Sequence, residues 1–345
     1  MAMLVGFVLR LIFILGSHGL MNHDLSAWLE VGNLTLTGTS IFPEPAPTKA
    51  PYFPLLIYMM SGSVWLQQFG IDAVDIMKTV VAAFDTGIIY LIYRITKNQK
   101  AALLYALNPI SILIIGIHGQ IDAIPLSMLL LALYLQKYTI ISLWVSSLAI
   151  AMKTWPFIFL IPLYKQLKNR KLLLILTVIP IAMTLLYSVI FSVSILDILK
   201  PVMQHRGLYG VYGVSLVLKS MTNSHIIELL VSKLFPLVLI GYMLRSQKTD
   251  IYTQILYGMF FFFTFTPTFG IQWLIWLMPF LIITRHSHRF WYMLTGTVYL
   301  MGAYLQWSYP GFGVESYEAF LVIMGFVMWT VIVFIWGYGR THNRF

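Results

Sequence analysis

The 345-residue sequence contains no cysteine. That excludes a disulfide framework, a thiolate nucleophile and a Cys-ligated metal centre. Charge is almost as scarce: 10% of residues are charged and 59% are hydrophobic, with a mean hydropathy of +0.83. A soluble domain cannot cover its surface with so few charges, so most of the exterior must face lipid. A Gly-rich nucleotide loop, an HExxH metal motif, a GxSxG nucleophile elbow and histidines at metal spacing are all missing. There is no internal repeat at a fixed period and no low-complexity tract. The first apolar run lacks a small-residue cleavage site and carries Arg10 at its centre, so it reads as a retained helix.

What is present is a succession of apolar runs along the whole length. They predict one all-α polytopic membrane domain over residues 1–345. Expected crossings are Met3–Leu20, Met77–Ile95, Ala101–Ile117, Ile124–Gln136, Ile140–Met152, Trp155–Tyr164, Leu172–Val193, Ile226–Leu244, Ile251–Phe265, Ile271–Ile283, Phe290–Gln306 and Ala319–Tyr338. Net charge is +10, but the basic residues lie in short turns between apolar runs, which argues against nucleic acid. Arg94, Lys97, Lys100, Lys137, Lys165, Lys168, Arg170, Lys171, Arg245, Lys248, Arg285, Arg289, Arg340 and Arg344 mark a cytoplasmic side, with Asp250 the one acid among them. Asp24, Glu30, Glu44, Asp72, Asp75, Asp122, Asp197, Glu315 and Glu318 collect opposite. All basic turns share one side only if Tyr52–Phe69 does not cross. That segment is therefore expected to be a juxtamembrane helix on the outer side. The result is about twelve crossings with both termini cytoplasmic.

One long polar, proline-broken stretch, Met21 to Leu55, interrupts this pattern directly after the first helix. It gathers His23, Asp24, Glu30, Glu44 and Lys49, with an amphipathic helix expected over Leu25–Thr35. A carboxylate at the membrane boundary can act as general base if burial raises its pKa towards neutrality; Asp24 is equally placed to cap that helix. His118-Gly-Gln-Ile-Asp122 falls at a helix end on the same side, offering donors and acceptors through His118, Gln120 and Asp122. Its bland alternative is a polar turn between two spans. Lys153, in Lys-Thr-Trp-Pro156, needs an anion or a polar cavity near the membrane, or snorkels to the interface. Arg206 in an outer loop could fork onto phosphate. Gln272 and Trp273 open a span, where tryptophans anchor helices or stack on a sugar. Arg10 and Asp85, both inside spans, are expected to face protein and to pair. Polar motifs thin out past Lys200, which divides the domain into a catalytic module, 1–200, and a more variable helical set, 201–345.

Taken in order, these pieces resemble the integral membrane glycosyltransferases of the GT-C superfold. The likeness is greatest to the mannosyltransferases that include the catalytic subunit of GPI mannosyltransferase I, and to their prokaryotic relatives. It is carried by Asp24-Leu-Ser-Ala-Trp28, Tyr52-Phe-Pro-Leu55, Phe84-Asp85 through Tyr93-Arg94, Asn108-Pro109 through Asp122, Lys153-Thr-Trp-Pro156, and Gln272-Trp-Leu-Ile-Trp276 with Pro279. The resemblance implies a sugar donor on polyprenyl or dolichyl phosphate, used on the extracytoplasmic or lumenal face. It maps the catalytic base to Asp24, substrate contacts to His118, Gln120 and Asp122, and a phosphate contact to Lys49. Relatives with Asp-x-Asp in this loop differ here, because Ser26 stands two residues after Asp24; this weakens the case for a bound divalent metal without removing it.

The expected activity is transfer of a sugar, mannose first, to a glycan, glycolipid or protein acceptor, with inversion. Asp24 is the base; His23, Lys49, His118, Gln120, Asp122, Lys153, Arg206, Gln272 and Trp273 are the substrate contacts. The competing class is a transporter or flippase of a lipid-linked sugar, using the same buried Lys and Asp to guide an anionic headgroup.

Overall fold

The computed structural model describes residues 1–43, 51–204, 207–222, 224–245, 249–309 and 316–342. They are mostly helical. In chain order the helices are α1 (Ala2–Gly16), α2 (His23–Leu36), α3 (Pro54–Leu66), α4 (Ala73–Thr96), α5 (Gln99–Ala106), α6 (Pro109–Leu113), α7 (Ala123–Tyr134), α8 (Thr139–Met152) and α9 (Pro156–Phe159). They continue with α10 (Ile161–Tyr164), α11 (Ile175–Phe191), α12 (Ile195–Gln204), α13 (Gly213–Met221), α14 (His225–Arg245), α15 (Ile251–Phe265), α16 (Leu277–Ile283), α17 (Arg289–Ser308) and α18 (Tyr317–His342). Among the described residues, five stretches are long and apolar enough to cross a membrane: Ala73–Thr96, Gln99–His118, Arg170–Phe191, His225–Arg245 and Tyr317–Gly339. The apolar side chains Ile181, Val189, Ile226, Leu237 and Phe334 on three of them stay exposed. Such a surface suits hydrocarbon and not water. This is a helical membrane protein.

Local chemistry explains where the helices start and stop. Asn22 caps α2 by accepting from the Leu25 N–H at 3.0 Å. The capping alternative for Asp24 is thereby removed. Asp72 caps α4 through the Val74 and Asp75 N–H groups, and Asp250 caps α15. Pro109 supplies no N–H and ends α5 before α6 begins. The expected Ala101–Ile117 helix is therefore interrupted at Leu107–Asn108, and its last turn widens into a π-helical segment, Ile114–His118. Such a segment leaves a local break in the regular ladder and is frequent at functional sites.

Other boundaries differ more. Trp155–Tyr164 is not one crossing but two four-residue helices, α9 and α10, each with proline in its first turn. The segment over Tyr52–Phe69 forms a 13-residue helix, α3, followed by one 3-10 turn, and α3 packs along α2. Helices α12 and α13 are additions to the sequence reading. So is a two-stranded antiparallel ribbon, β1 (Leu208–Tyr209) with β2 (Thr268–Phe269). This ribbon ties the segment following Arg206 to the one preceding Gln272.

At the centre, α1, α4, α5 and α6 meet around a buried polar knot. Arg10 Nε donates to Asp85 Oδ2, while Arg10 Nη1 reaches the Gly6 and Ala106 carbonyls and Nη2 reaches Ser111 Oγ. Tyr105 donates to the other Asp85 oxygen at 2.7 Å. The intramembrane pairing expected of Arg10 and Asp85 is present. A buried ion pair holds only when its remaining donors and acceptors are also matched, and here neighbouring helices supply the partners.

Candidate functional site

The polar groups of the sequence motifs converge where three regular elements end. Asp24 lies on the first turn of α2, fixed there by the Asn22 cap. The Asn22 amide also donates to the His118 carbonyl at 2.9 Å, joining this turn to the end of the π segment. Gly119 then adopts φ +76°, which turns the chain back so that His118 and Gln120 both face α2. A Cβ on Gly119 would stand 2.8 Å from Leu25, so the close approach also needs glycine.

Gln120 Nε2 donates to Asp24 Oδ2 and lies 3.2 Å from His118 Nε2, and the imidazole is 3.6 Å from the same carboxylate oxygen. Gln120 and His118 are buried, whereas the Asp24 side chain is 45% exposed. A reachable carboxylate is thus held by two buried groups. Burial pushes the Asp24 pKa up, but the His118 hydrogen bond and the charges of His118, Lys153 and His23 outweigh it. The net direction is below its ordinary 3.8. The condition of a carboxylate raised towards neutrality is not met, because the His118 hydrogen bond and the neighbouring charges together outweigh desolvation; Asp24 is ionised near neutrality and can accept a proton only as bond formation acidifies the attacking hydroxyl.

Asp122 and Lys153 form the second part of the cluster. Lys153 follows the end of α8 and donates to Asp122 Oδ2 at 2.8 Å; the Trp276 indole donates to Oδ1 at 3.0 Å. Asp122 is fully buried with both oxygens engaged. It anchors Lys153 and Trp276 instead of presenting a free acceptor. Lys153 keeps two further N–H donors and an 11% exposed side chain, and it lies over the Tyr52 ring.

The remaining expected residues divide. His23 is exposed beside Asp24 and contributes charge to it. Trp273 stacks on Trp276, ring centroids 5.3 Å apart, and Trp276 stacks on Trp155 at 4.1 Å. Trp273 is therefore the part-exposed end of an indole pile whose middle ring, Trp276, hydrogen-bonds to Asp122. Gln272 folds its amide over Gly270, and takes no part in the hydrogen bonds of Asp24, Gln120, Asp122 and Lys153. Lys49 and Arg206 lie outside the described residues.

Several participants went unassigned by sequence reasoning. Lys78 is fully buried beneath the Gly119 turn and donates to Ser17 Oγ, which in turn donates to the Gly116 carbonyl. Its signal was available: an ammonium inside an apolar run. Tyr304 and Trp307 of α17 pack against the His118 ring at 5.7 and 4.8 Å. They carried no signal, since aromatic residues are common throughout the chain. Together with Trp276 they show that the cluster draws on both sides of Lys200. Among the described residues no group of three His, Asp or Glu side chains could hold a metal ion.

Close to the cluster, Phe53, the neighbour of Tyr52, lines an apolar groove of about 300 Å³. Its other walls include Ile150, Phe157, Leu176, Ile181 and Leu199. Fold and site together define a helical membrane protein whose polar residues meet at helix interruptions. No protein-family model matches the chain, and no curated protein matches it.

Proposed function

We propose that the protein is a membrane glycosyltransferase that moves a sugar, most simply mannose, from a polyprenyl or dolichyl phosphate to an acceptor. The observation that carries this reading is one cluster holding a reachable carboxylate, Asp24, and a lysine, Lys153, whose largely buried side chain is held by Asp122. Base and leaving-group stabiliser are the two roles that such a transfer requires. Asp24 takes the proton of the acceptor hydroxyl as that oxygen bonds to the sugar C1, and the C1–O bond to the lipid phosphate breaks. Charge then gathers on the departing phosphate, where Lys153 acts; Lys49 and Arg206 are further cations for the same phosphate. Single displacement of this kind inverts C1. This reading gives the lipid tail the apolar groove lined by Phe53, the chain neighbour of the Tyr52 ring that Lys153 overlies. In this reading the fold is of the GT-C kind, with short apolar helices adding crossings to the five long stretches. The cluster faces the extracytoplasmic or lumenal side, and both termini are cytoplasmic.

The test is incubation of purified protein with polyprenyl-phosphate-mannose and polyprenyl-phosphate-glucose, following release or transfer of sugar. Native protein is expected to consume one donor, and Asp24→Asn to lose turnover while retaining donor binding. Near-normal turnover by Asp24→Asn contradicts the assignment of the base.

A second reading, a carrier of lipid-linked sugar, has one observation in its favour. Three non-α segments, at 119–122, 153–155 and 266–275, supply or adjoin the cluster, and carriers use interrupted helices to bind charged headgroups. Donor translocation across vesicles without cleavage supports the carrier.

A further inference from the structure

The contacts around Asp24 fall into two sets. One runs through Lys153, Asp122 and Tyr52 towards the apolar groove. The other runs through His118 to the C-terminal helices: Trp307 packs on His118 at 4.8 Å, Tyr304 on Trp307 at 4.9 Å, and Tyr317 on Trp307 at 5.9 Å. Tyr317, in the first turn of α18, also lies near enough to Asp24 to feel its charge. Trp307 and Tyr317 are part-exposed, so ring surface is available beside a reachable carboxylate.

Unpartnered polar atoms belong to the same place. His118 Nδ1, Gln120 Oε1 and the Tyr304 hydroxyl are buried and have no hydrogen-bond partner among the described residues. Buried unpartnered polar atoms occur elsewhere in the protein as well, but these three sit on residues that touch Asp24 or pack on its partner. Flat aromatic surface beside a few convergent polar groups is what a pyranose needs. Its C–H face packs on a ring while its hydroxyls exchange hydrogen bonds.

Resting on the transferase reading, we propose that Trp307, Tyr317 and Tyr304 form the acceptor-sugar subsite. A pyranoside packs on Trp307 with one hydroxyl directed to Asp24. The assignment to acceptor and not donor follows from the two sets of contacts. The donor phosphate belongs with Lys153 and the groove, and the group that loses a proton to Asp24 must come from the other set.

The test uses the full chain in detergent, titrated with methyl α-D-mannopyranoside and methyl α-D-glucopyranoside, with tryptophan fluorescence as readout. Native protein and Asp24→Asn are expected to show saturable binding of one glycoside. Trp307→Leu and Tyr317→Leu should bind about tenfold more weakly at an unchanged unfolding midpoint. Should Trp307→Leu misfold, Tyr317→Leu alone decides. Binding that is unaltered in the folded variants, or absent from native protein, overturns the subsite. Sugar transfer that proceeds equally well in native protein and Trp307→Leu sinks the subsite and spares the transferase. Glycoside binding lost in Trp307→Leu, with no donor consumed by native protein, does the reverse.

Discussion

Lys153 Nζ stands 2.8 Å from Asp122 Oδ2, across 31 residues of sequence, and among the described residues no other acid shares a hydrogen bond with that ammonium. The pair joins the end of α8 to the turn that carries Gln120. Removing the cation leaves a fully buried carboxylate whose one remaining hydrogen-bond partner among the described residues is the Trp276 indole, at a cost of about 3–5 kcal/mol. Lys153→Met should therefore lower the unfolding midpoint sharply. Lys153→Met/Asp122→Leu should recover part of that stability but not turnover. Loss of a transition-state donor lowers turnover roughly 100- to 1,000-fold. Thermal unfolding and donor consumption, measured on the same samples, check both parts.

Asp24 sets a pH limit. Its folded pKa lies below 3.8, so ionisation stabilises the folded state above that value. This contribution is lost as pH falls through the lowered pKa. Asp24→Asn should thus be less stable than native protein near neutrality, and the difference should shrink as pH falls through the lowered pKa of Asp24. For the same reason, turnover should show no acid limb from Asp24 between about pH 5 and pH 8. A midpoint difference that grows on acidification, or an Asp24-dependent limb near pH 6, would contradict the electrostatic account.

Arg10 and Asp85 should matter for folding alone. Both are fully buried and satisfied by helices away from Asp24. Arg10→Met strands the Asp85 carboxylate and is expected to cost about 3–5 kcal/mol. The double replacement Arg10→Met/Asp85→Leu should be milder than either single change. Protein that survives purification should bind glycoside and donor as the native protein does.

Gly119 offers a geometric test. Alanine there keeps the left-handed backbone at a cost of about 1–2 kcal/mol, and its Cβ meets Leu25 at 2.8 Å. Since Leu25 is the neighbour of Asp24, relief of the clash shifts the base relative to His118. Gly119→Ala should reduce turnover by more than its change in unfolding midpoint accounts for. Gly38, also at positive φ but with open space around it, serves as control.

Much of the helical plan was legible because lipid imposes a simple rule: backbone polar groups must be satisfied within the segment. Ile251–Phe265 begins and ends as the apolar run does, and α7, α8 and α14 fall within a few residues of their runs. At Pro109, Pro156 and Pro162 hydropathy reads one span and the backbone makes pieces, whereas Pro180 and Pro236 are carried inside α11 and α14. The β1–β2 ribbon was illegible for another reason, since its two-residue strands are paired across about sixty residues. The grouping of Asp24 with His118, Gln120, Asp122 and Lys153 was readable as a set of polar residues out of place. Their division of labour was not: Asp122 looked like an acceptor for substrate, and Lys78 looked like part of a span.

Composition and spacing alone fixed that this chain lives in lipid, that it has no thiol chemistry, and which polar residues stand out against the apolar background. Hydropathy and charge are properties of each position, and the bilayer sorts them without reference to distant neighbours. Only the tertiary structure decided that Lys153 answers Asp122, that Gln120 holds Asp24, and that Trp307 from the far end of the chain closes on His118. Those choices depend on distances between segments brought together by packing, and a carboxylate's role is set by whichever partner arrives within hydrogen-bond reach.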